Sequence, residues 1–459
     1  VSDNSNDNQI AVTRPPKHGR LAALRMALDE GAVRSAERMI NTLHPAEIAQ
    51  LLESLPPKRR ELVWEMTDSD LDGDVLVELS EDVRAQLIRE MEPEELADAV
   101  EGMEVDDLAD LLADLPETVT QQLLHNMDQQ DRERLSRVLS WPEDTAGGLM
   151  STDTVSVRSD VSLEVVQRYL RMRGELPART DRLFAVDRSD RFQGTITLAR
   201  LLTDDPDNLV GASLDADAPR IAPDTTASEV SQLFRDRDLV SAPVVDEQGV
   251  LLGRITVDDV VDVITEEAAH EVMAGAGLRD EEDVFAPVLV STRRRMLWLS
   301  INLLTAIMAG LVVQRFEGTI EKVAALAALM PIVAGMGGNA GTQTVTLIIR
   351  SLALGQVQWR DARWLVMREM GVSALNGLVI SVILAAITVA WLGTWKIAAI
   401  IAAAMITNLL ASAFVGVMVP LTLRRMQIDP ALAAGVILTT FTDCIGFATL
   451  LGLGTLFLT

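Results

Sequence analysis

Two hydrophobic rhythms divide this chain. From about residue 21 to residue 139, apolar positions recur every three or four residues in short units, each opened by a proline or an acid. "HPAEIAQLLESLP" (44–56) resembles "EVDDLADLLADLP" (104–116), with "EPEELADAVEGM" (92–103) between them. This pattern predicts stacked short helices forming a small superhelix. Asp106 and Asp110 in "VDDLAD" stand at i, i+4 and share a helix face. Capping acids on a solvated face would give the same spacing. Beyond residue 290 the rhythm changes to long apolar runs: 296–316, 323–349, 364–391, 397–423 and 430–458. Each is long enough to span a hydrocarbon core of ~30 Å, which takes ~20 helical residues.

Between these regions, "WPEDTAGGLM" (141–150) breaks the helical pattern. Two similar units follow. The clearer, 224–264, reads as a capped helix, the strand "SAPVVD", a glycine turn, the strand "LLGRIT" and a helix opening at "VDD". The other, 154–202, repeats the order with "SLEVVQRYLRMR", "RLFAVD", "FQGTIT" and "LARLL". This order resembles a tandem pair of cystathionine-β-synthase-type (CBS) domains. The resemblance implies a regulatory ligand, often an adenine nucleotide such as ATP, with Thr256 and Asp259 holding the ribose. The first copy has Thr197 followed by Arg200 and lacks that acid. Plain capping of a helix start is the competing account of Thr256 and Asp259.

Charge gives the long runs a direction. Arg293, Arg294 and Arg295 precede the first; Arg350, Arg360, Arg363 and Arg368 lie between the second and third; Arg424 and Arg425 lie between the fourth and fifth. The remaining loops are poor in net positive charge. Basic residues stay cytoplasmic, which predicts five spans, a cytoplasmic N-terminus and an outside C-terminus. The chain of 459 residues carries a net charge of −27, unevenly placed. From Ser291 onward there are 12 basic and 6 acidic residues; the rest holds 28 and 61. Such an acidic part would repel nucleic acid and leaves cations as charged ligands, unless the acid serves only solubility. The single cysteine, Cys444, excludes an intrachain disulfide and a thiolate cluster. The polar first twenty residues predict a disordered tail and no signal peptide.

"PIVAGMGGNAGTQTVTLIIR" (331–350) is unusual for a lipid-facing stretch. No alternation of strands and helices surrounds it, so it is not a phosphate loop. Small-residue helix packing accounts for Gly335 and Ala340, but not for the proline, the glycine pair, Asn339 and the threonines together. Irregular backbone at membrane depth survives only beside protein or water. The segment is therefore expected to be bent or unwound, with its carbonyls and Asn339 facing a water-filled path. Asp443 is the one acid well inside a span, either an ion ligand or a polar interhelical bond. Glu369 is expected to pair with Arg363 or Arg368. Oxygen donors suit a hard cation such as Mg²⁺, and no His or Cys cluster suits zinc or copper.

The stretch 331–354, "EDTAGGLM", the CBS-like pair and the five runs together resemble the MgtE family of magnesium channels or transporters. The resemblance covers nearly everything after residue 20. It implies a multi-domain membrane protein: an all-α N-terminal superhelical domain, an α/β tandem CBS domain pair, a connector helix and a five-helix all-α transmembrane domain. The expected boundaries are 1–20 for the tail, 21–140, 141–204, 205–265, 266–292 for the connector and 293–459 for the membrane part. It also implies a homodimer in the bacterial plasma membrane, with Mg²⁺ as cargo and as regulator. Asp443, Asn339, Gly335 and Thr439 become the pore candidates. The regulatory candidates are Asp238, Asp259, Asp262, Glu267, Glu271 and Asp429, with Asp106 and Asp110 on the helical part. His270, Thr226 and Ser228 stand where acids are usual. The expected function is a Mg²⁺-selective channel closed by cytosolic Mg²⁺, with no catalytic residues. An ion-coupled transporter of divalent cations and a non-transporting CBS sensor remain open alternatives.

Overall fold

The computed structural model describes residues 24, 26 and 32–458, apart from 101–102, 114, 116–119, 121–122, 125–126, 128 and 279–282. The predicted tail, Glu281 and Glu282 lie outside the described residues. The chain divides into two compact units. One comprises residues 1–267 and 281–286, the other 268–280 and 287–459.

The acidic unit opens with short helices: α1 (Val33–Ile40), α2 (Pro45–Glu53), α3 (Pro57–Trp64), α4 (Asp72–Val77), α5 (Glu81–Ile88), α6 (Pro93–Ala99), α7 (Val105–Ala113) and α8 (Gln129–Val138). Their starts are fixed locally. Pro45 and Pro57 occupy first-turn positions where the missing N–H costs nothing. The His44 N–H donates to Glu47 Oε2 at 3.2 Å, and the Glu92 N–H to Glu95 Oε2 at 3.0 Å. Helices this short are marginal alone; Ala36, Ile48, Val63, Leu76, Leu87, Leu96, Leu111 and Leu135 bury a residue from each into a common core. That core continues into the second CBS-like copy through Val230, Phe234, Ala242 and Ile255.

The two copies repeat as expected. The first holds β1 (Ser156–Arg158), α9 (Leu163–Arg173), β2 (Arg182–Val186), β3 (Phe192–Thr197) and α10 (Leu198–Thr203). The second holds α11 (Ala227–Arg237), β4 (Ser241–Val245) and β5 (Leu251–Thr256), followed by α12 (Val257–Gly275). Strands β2 and β3 pair antiparallel, as do β4 and β5, each pair with a register shift near its end. β1 lies parallel to β2, and Ile221 makes the matching parallel bridge to Val244. The stretch 141–150, expected at the head of the first copy, bonds instead to the second. The Ala146 N–H donates to Thr225 O at 2.7 Å and the Gly147 N–H to Pro223 O at 2.9 Å. Its glycines let the stretch fold tightly on itself, since a Cβ at Gly147 would stand 2.3 Å from the Trp141 ring and one at Gly148 2.6 Å from Glu143 O.

The membrane unit contains α13 (Val288–Gln314), α14 (Glu317–Lys322), α15 (Ala325–Ala353), α16 (Ala362–Leu392), α17 (Trp395–Arg425) and α18 (Pro430–Leu458). Five of these helices are long and apolar enough to cross a membrane, as the hydrophobic runs predict. α17 is the most buried of them and packs against α15, α16 and α18. Two expectations change. The first span is part of a helix that begins at Val288, eight residues early, because nothing breaks the helix before Pro287. The stretch 266–292 is not one helix: residues 266–275 continue α12, a turn follows at Gly277, and α13 takes the rest from Val288.

Candidate cation sites

In the acidic unit, α7 and α12 bring carboxylates into a cavity of about 490 Å³. Asp106 and Asp110 come from one face of α7, as their spacing requires; Asp259, Asp262, Glu266 and Glu267 come from successive turns of α12. Asp107, Glu143 and Asp144 complete the lining, with Thr226 and Ser228 as neutral members. These three acids were missed in the sequence as site residues, although "VDDLAD" and "WPEDTAGG" contain them.

The electrostatics follow from crowding. Asp106 is 7 % exposed and its Oδ1 has no hydrogen-bond partner. Burial, then the charges of Asp259 and Asp107, hold its carboxyl well above the usual range. Burial and Glu104 push Asp107 up to about 7; burial and Glu143 do the same for Asp110. Asp259 rises to about 6 through burial, although the Thr256 bonds oppose it. Asp262 is raised by burial and by Glu78. Arg179 answers part of this charge, 2.6 Å from Asp258. Among the described residues, no three metal-ligating side chains converge closely enough to bind an ion directly. An ion that keeps most of its water and takes one or two carboxylates suits such a cavity, and Mg²⁺ behaves so.

Other expected positions lie elsewhere. Asp238 is exposed at the left-handed end of α11 (φ 51°) and does not line the cavity. Asp429 belongs to the membrane unit: its Oδ1 accepts from the Ala431 N–H at 2.8 Å and its Oδ2 lies 2.9 Å from His270 Nε2. Glu271 sits on α12, and its side chain is outside the described residues. The Thr256 N–H and hydroxyl donate to Asp259 Oδ2 at 2.9 and 3.0 Å, so this pair caps the start of α12.

In the membrane unit, the expected unwinding of 331–350 is absent: α15 is one continuous helix with Pro331 inside it. The carbonyls expected to face a path are partly claimed by α17. Val333 O accepts from Asn408 Nδ2 at 2.8 Å and Gly337 O from Ser412 Oγ at 2.7 Å. Glycine is needed there for close approach, since a Cβ at Gly337 would lie 2.1 Å from Asn408 Nδ2. Gly335 and Asn339 are exposed on α15, a turn apart. On α18, Thr439 is exposed and Asp443 half-buried, again a turn apart. The Thr439 hydroxyl donates to Gly435 O at 3.1 Å. Glu369 pairs with Arg368 at 2.5 Å, as expected, and also accepts from the Thr344 hydroxyl at 3.3 Å. Asn408 and Ser412 were not anticipated, although "MITNLLAS" places two polar residues at i, i+4 in an apolar run.

A five-span bundle joined to an acidic unit of short helices and a CBS-like pair defines a polytopic membrane protein with a large acidic attachment. Family profiles agree along its length: the MgtE intracellular N domain over 43–144, the CBS domain over 214–266 and the MgtE divalent cation transporter over 330–453. The magnesium transporter MgtE of Thermus thermophilus is 34 % identical over 446 residues, covering 95 % of this chain and 98 % of that protein. The magnesium transporter MgtE of Bacillus subtilis is 26 % identical over 436 residues, with 94 % and 96 % covered. Among solved structures, the cytosolic domain of the Mg²⁺ channel MgtE in complex with ATP is 31 % identical. It covers 53 % of this chain and 99 % of its own, with a TM-score of 0.49. This chain belongs to the MgtE family.

Proposed function

We propose that this protein is a Mg²⁺-selective channel of the bacterial plasma membrane, working as a homodimer and closed by cytosolic Mg²⁺. The arginine-rich loops support a cytoplasmic N-terminus and an outside C-terminus. The observation that carries the reading is the acidic cavity, where the buried Asp106 carboxylate has an oxygen without a partner. Like charges gathered there repel, and screening over ~8 Å does not remove repulsion at contact distances. A divalent cation neutralises two carboxylates, so bound Mg²⁺ favours the compact form, which is the closed one. Its effect is limited to its differential affinity for the two forms. Asp106, Asp110, Asp259, Asp262 and Glu267 hold the regulatory ion, mostly through water. Asp238, Glu271 and Asp429 are secondary regulatory positions. Asp429 is engaged by His270, so its share is smaller.

Conduction rests on Asp443, with Asn339, Gly335 and Thr439. One carboxylate per chain does not match an ion of charge two; two copies about a dimer axis do. Mg²⁺ sheds water reluctantly, so the ion passes largely hydrated. ATP at Thr256 and Asp259 is a separate element of the proposal, checked by equilibrium dialysis with labelled ATP. The main test is Mg²⁺ influx into proteoliposomes that hold a Mg²⁺-sensitive dye. Influx without a proton or sodium gradient, slowed by Mg²⁺ on the face bearing the acidic unit, is the expected result. Strict dependence on either gradient, or no influx at all, would overturn the channel.

A further inference from the structure

We infer that Asn408 and Ser412 of α17 are positioning residues that set the rotation of the glycine-rich helix and thereby aim Gly335 and Asn339 at the ion path. This rests on the proposed Mg²⁺ conduction. Asn408 and Ser412 are both fully buried. Asn408 Nδ2 donates to Val333 O at 2.8 Å, and Ser412 Oγ reaches Gly337 O at 2.7 Å and Asn408 O at 2.9 Å. Val333 and Gly337 are one turn apart on α15, so two successive turns are clamped to α17. In an α-helix of 3.6 residues per turn, positions two apart point about 200° from each other. Gly335 and Asn339 each follow a clamped residue by two. They therefore emerge on the opposite face, and both are exposed there.

The glycines divide along the same line. A Cβ at Gly337 would meet Asn408 at 2.1 Å and one at Gly446 of α18 would meet Asn408 Nδ2 at 2.9 Å. At Gly335 and Gly338 a Cβ would meet nothing within 4 Å. One set of glycines lets the Asn408 amide reach backbone; the other leaves the far face open. An apolar side chain at 408 would fill the same space at less cost. Instead Asn408 Oδ1 is buried with no hydrogen-bond partner, which is destabilising because its lost hydration is not replaced. That penalty is retained at the position whose Nδ2 holds the helix. Lipid supplies no competing donor, so loss of the clamp lets α15 turn about its axis and moves Gly335 and Asn339 together.

The test compares wild type, Ser412→Ala, Asn408→Ala and Gly337→Ala in proteoliposomes, reading Mg²⁺ influx, its half-saturating concentration and the Mg²⁺:Ca²⁺ influx ratio. Ser412→Ala removes a single oxygen and keeps the fold. It should lower influx by about five- to tenfold, the worth of one buried hydrogen bond, and shift both the half-saturation and the ratio. Asn408→Ala and Gly337→Ala should do the same more strongly. Unchanged half-saturation and ratio in Ser412→Ala, whether influx stays at the wild-type level or falls with protein yield, would overturn the inference while leaving conduction intact. Absence of influx in the wild type would instead overturn the proposed function.

Discussion

In the acidic unit, nine carboxylates line one cavity, and the most deeply buried of the α7 acids has an oxygen with no partner. In the membrane unit, the buried oxygens are mostly neutral and bonded, and the unpartnered Asn408 Oδ1 is a neutral amide oxygen. Ser412 reaches Gly337 O, Thr344 reaches Glu369, and Glu369 is held by Arg368. The difference follows from the surroundings. Water and ions can enter an open cavity lined by acids, so repulsion there can be relieved by whatever cation arrives. Lipid offers no such relief, so charge is paired within the fold or kept rare. Asp443 departs from the membrane pattern, being half-buried and joined to no hydrogen bond or ion pair among the described residues. It is therefore the membrane counterpart of Asp106.

The sharpest way to break that parallel is Asp443→Asn. It removes the charge and keeps the shape, and should abolish Mg²⁺ influx while the protein elutes from size exclusion as wild type does. Retained influx would leave Asp443 without a part in conduction.

The second effect is on pH. Asp107 and Asp110, pushed up to about 7, and Asp259, to about 6, hold protons in the fold that the unfolded chain has lost. The folded unit therefore binds more protons between about pH 4 and pH 7, and its metal-free stability falls as pH rises through that window. Mg²⁺ displaces those protons, so its binding weakens in the opposite direction. Going from about pH 8 to about pH 6 should raise the Mg²⁺ concentration that protects the acidic unit from protease, by about tenfold per proton displaced. A pH-independent protection curve would show that the cavity acids are not its ligands.

A third comparison sets two acids of the cavity, Asp106 and Asp110, against a third acid of the same unit, Asp283. Asp106→Asn with Asp110→Asn removes repulsion and should raise the melting temperature of the metal-free protein. The same pair should raise the protective Mg²⁺ concentration by about tenfold, equivalent to ~1.4 kcal/mol. Asp283 is different, because it is paired. Its Oδ2 lies 3.1 Å from the fully buried Arg60 guanidinium, which also donates to Leu52 O and Leu55 O. Asp283→Asn weakens that contact without relieving repulsion, so a loss of about 1–2 kcal/mol of stability is expected, read by urea denaturation. Equal signs for the two substitutions would erase the distinction between unpaired and paired acids.

Much of this architecture was legible in the chain itself. The dozen-residue units, the strands "SAPVVD" and "LLGRIT" and the five apolar runs are local periodicities, and local backbone geometry fixes them. The i, i+4 spacing of Asp106 and Asp110 and the pairing of Glu369 with an adjacent arginine are equally local. The acidic stretch 141–150 and the polar pair in "MITNLLAS" were visible, but their roles were not. That Asp259 shares a cavity with Asp106, that 141–150 bonds to the second copy, and that Gly337 makes room for Asn408 depend on elements far apart in sequence meeting in space. The glycine-rich segment shows the physical reason. Its composition is compatible with an unwound path or with a straight helix packed closely on its neighbours. Only its neighbours decided for the helix: α17 bonds the Val333 and Gly337 carbonyls and fills the space a Cβ at Gly337 would need, and Leu438 of α18 fills that space at Gly341.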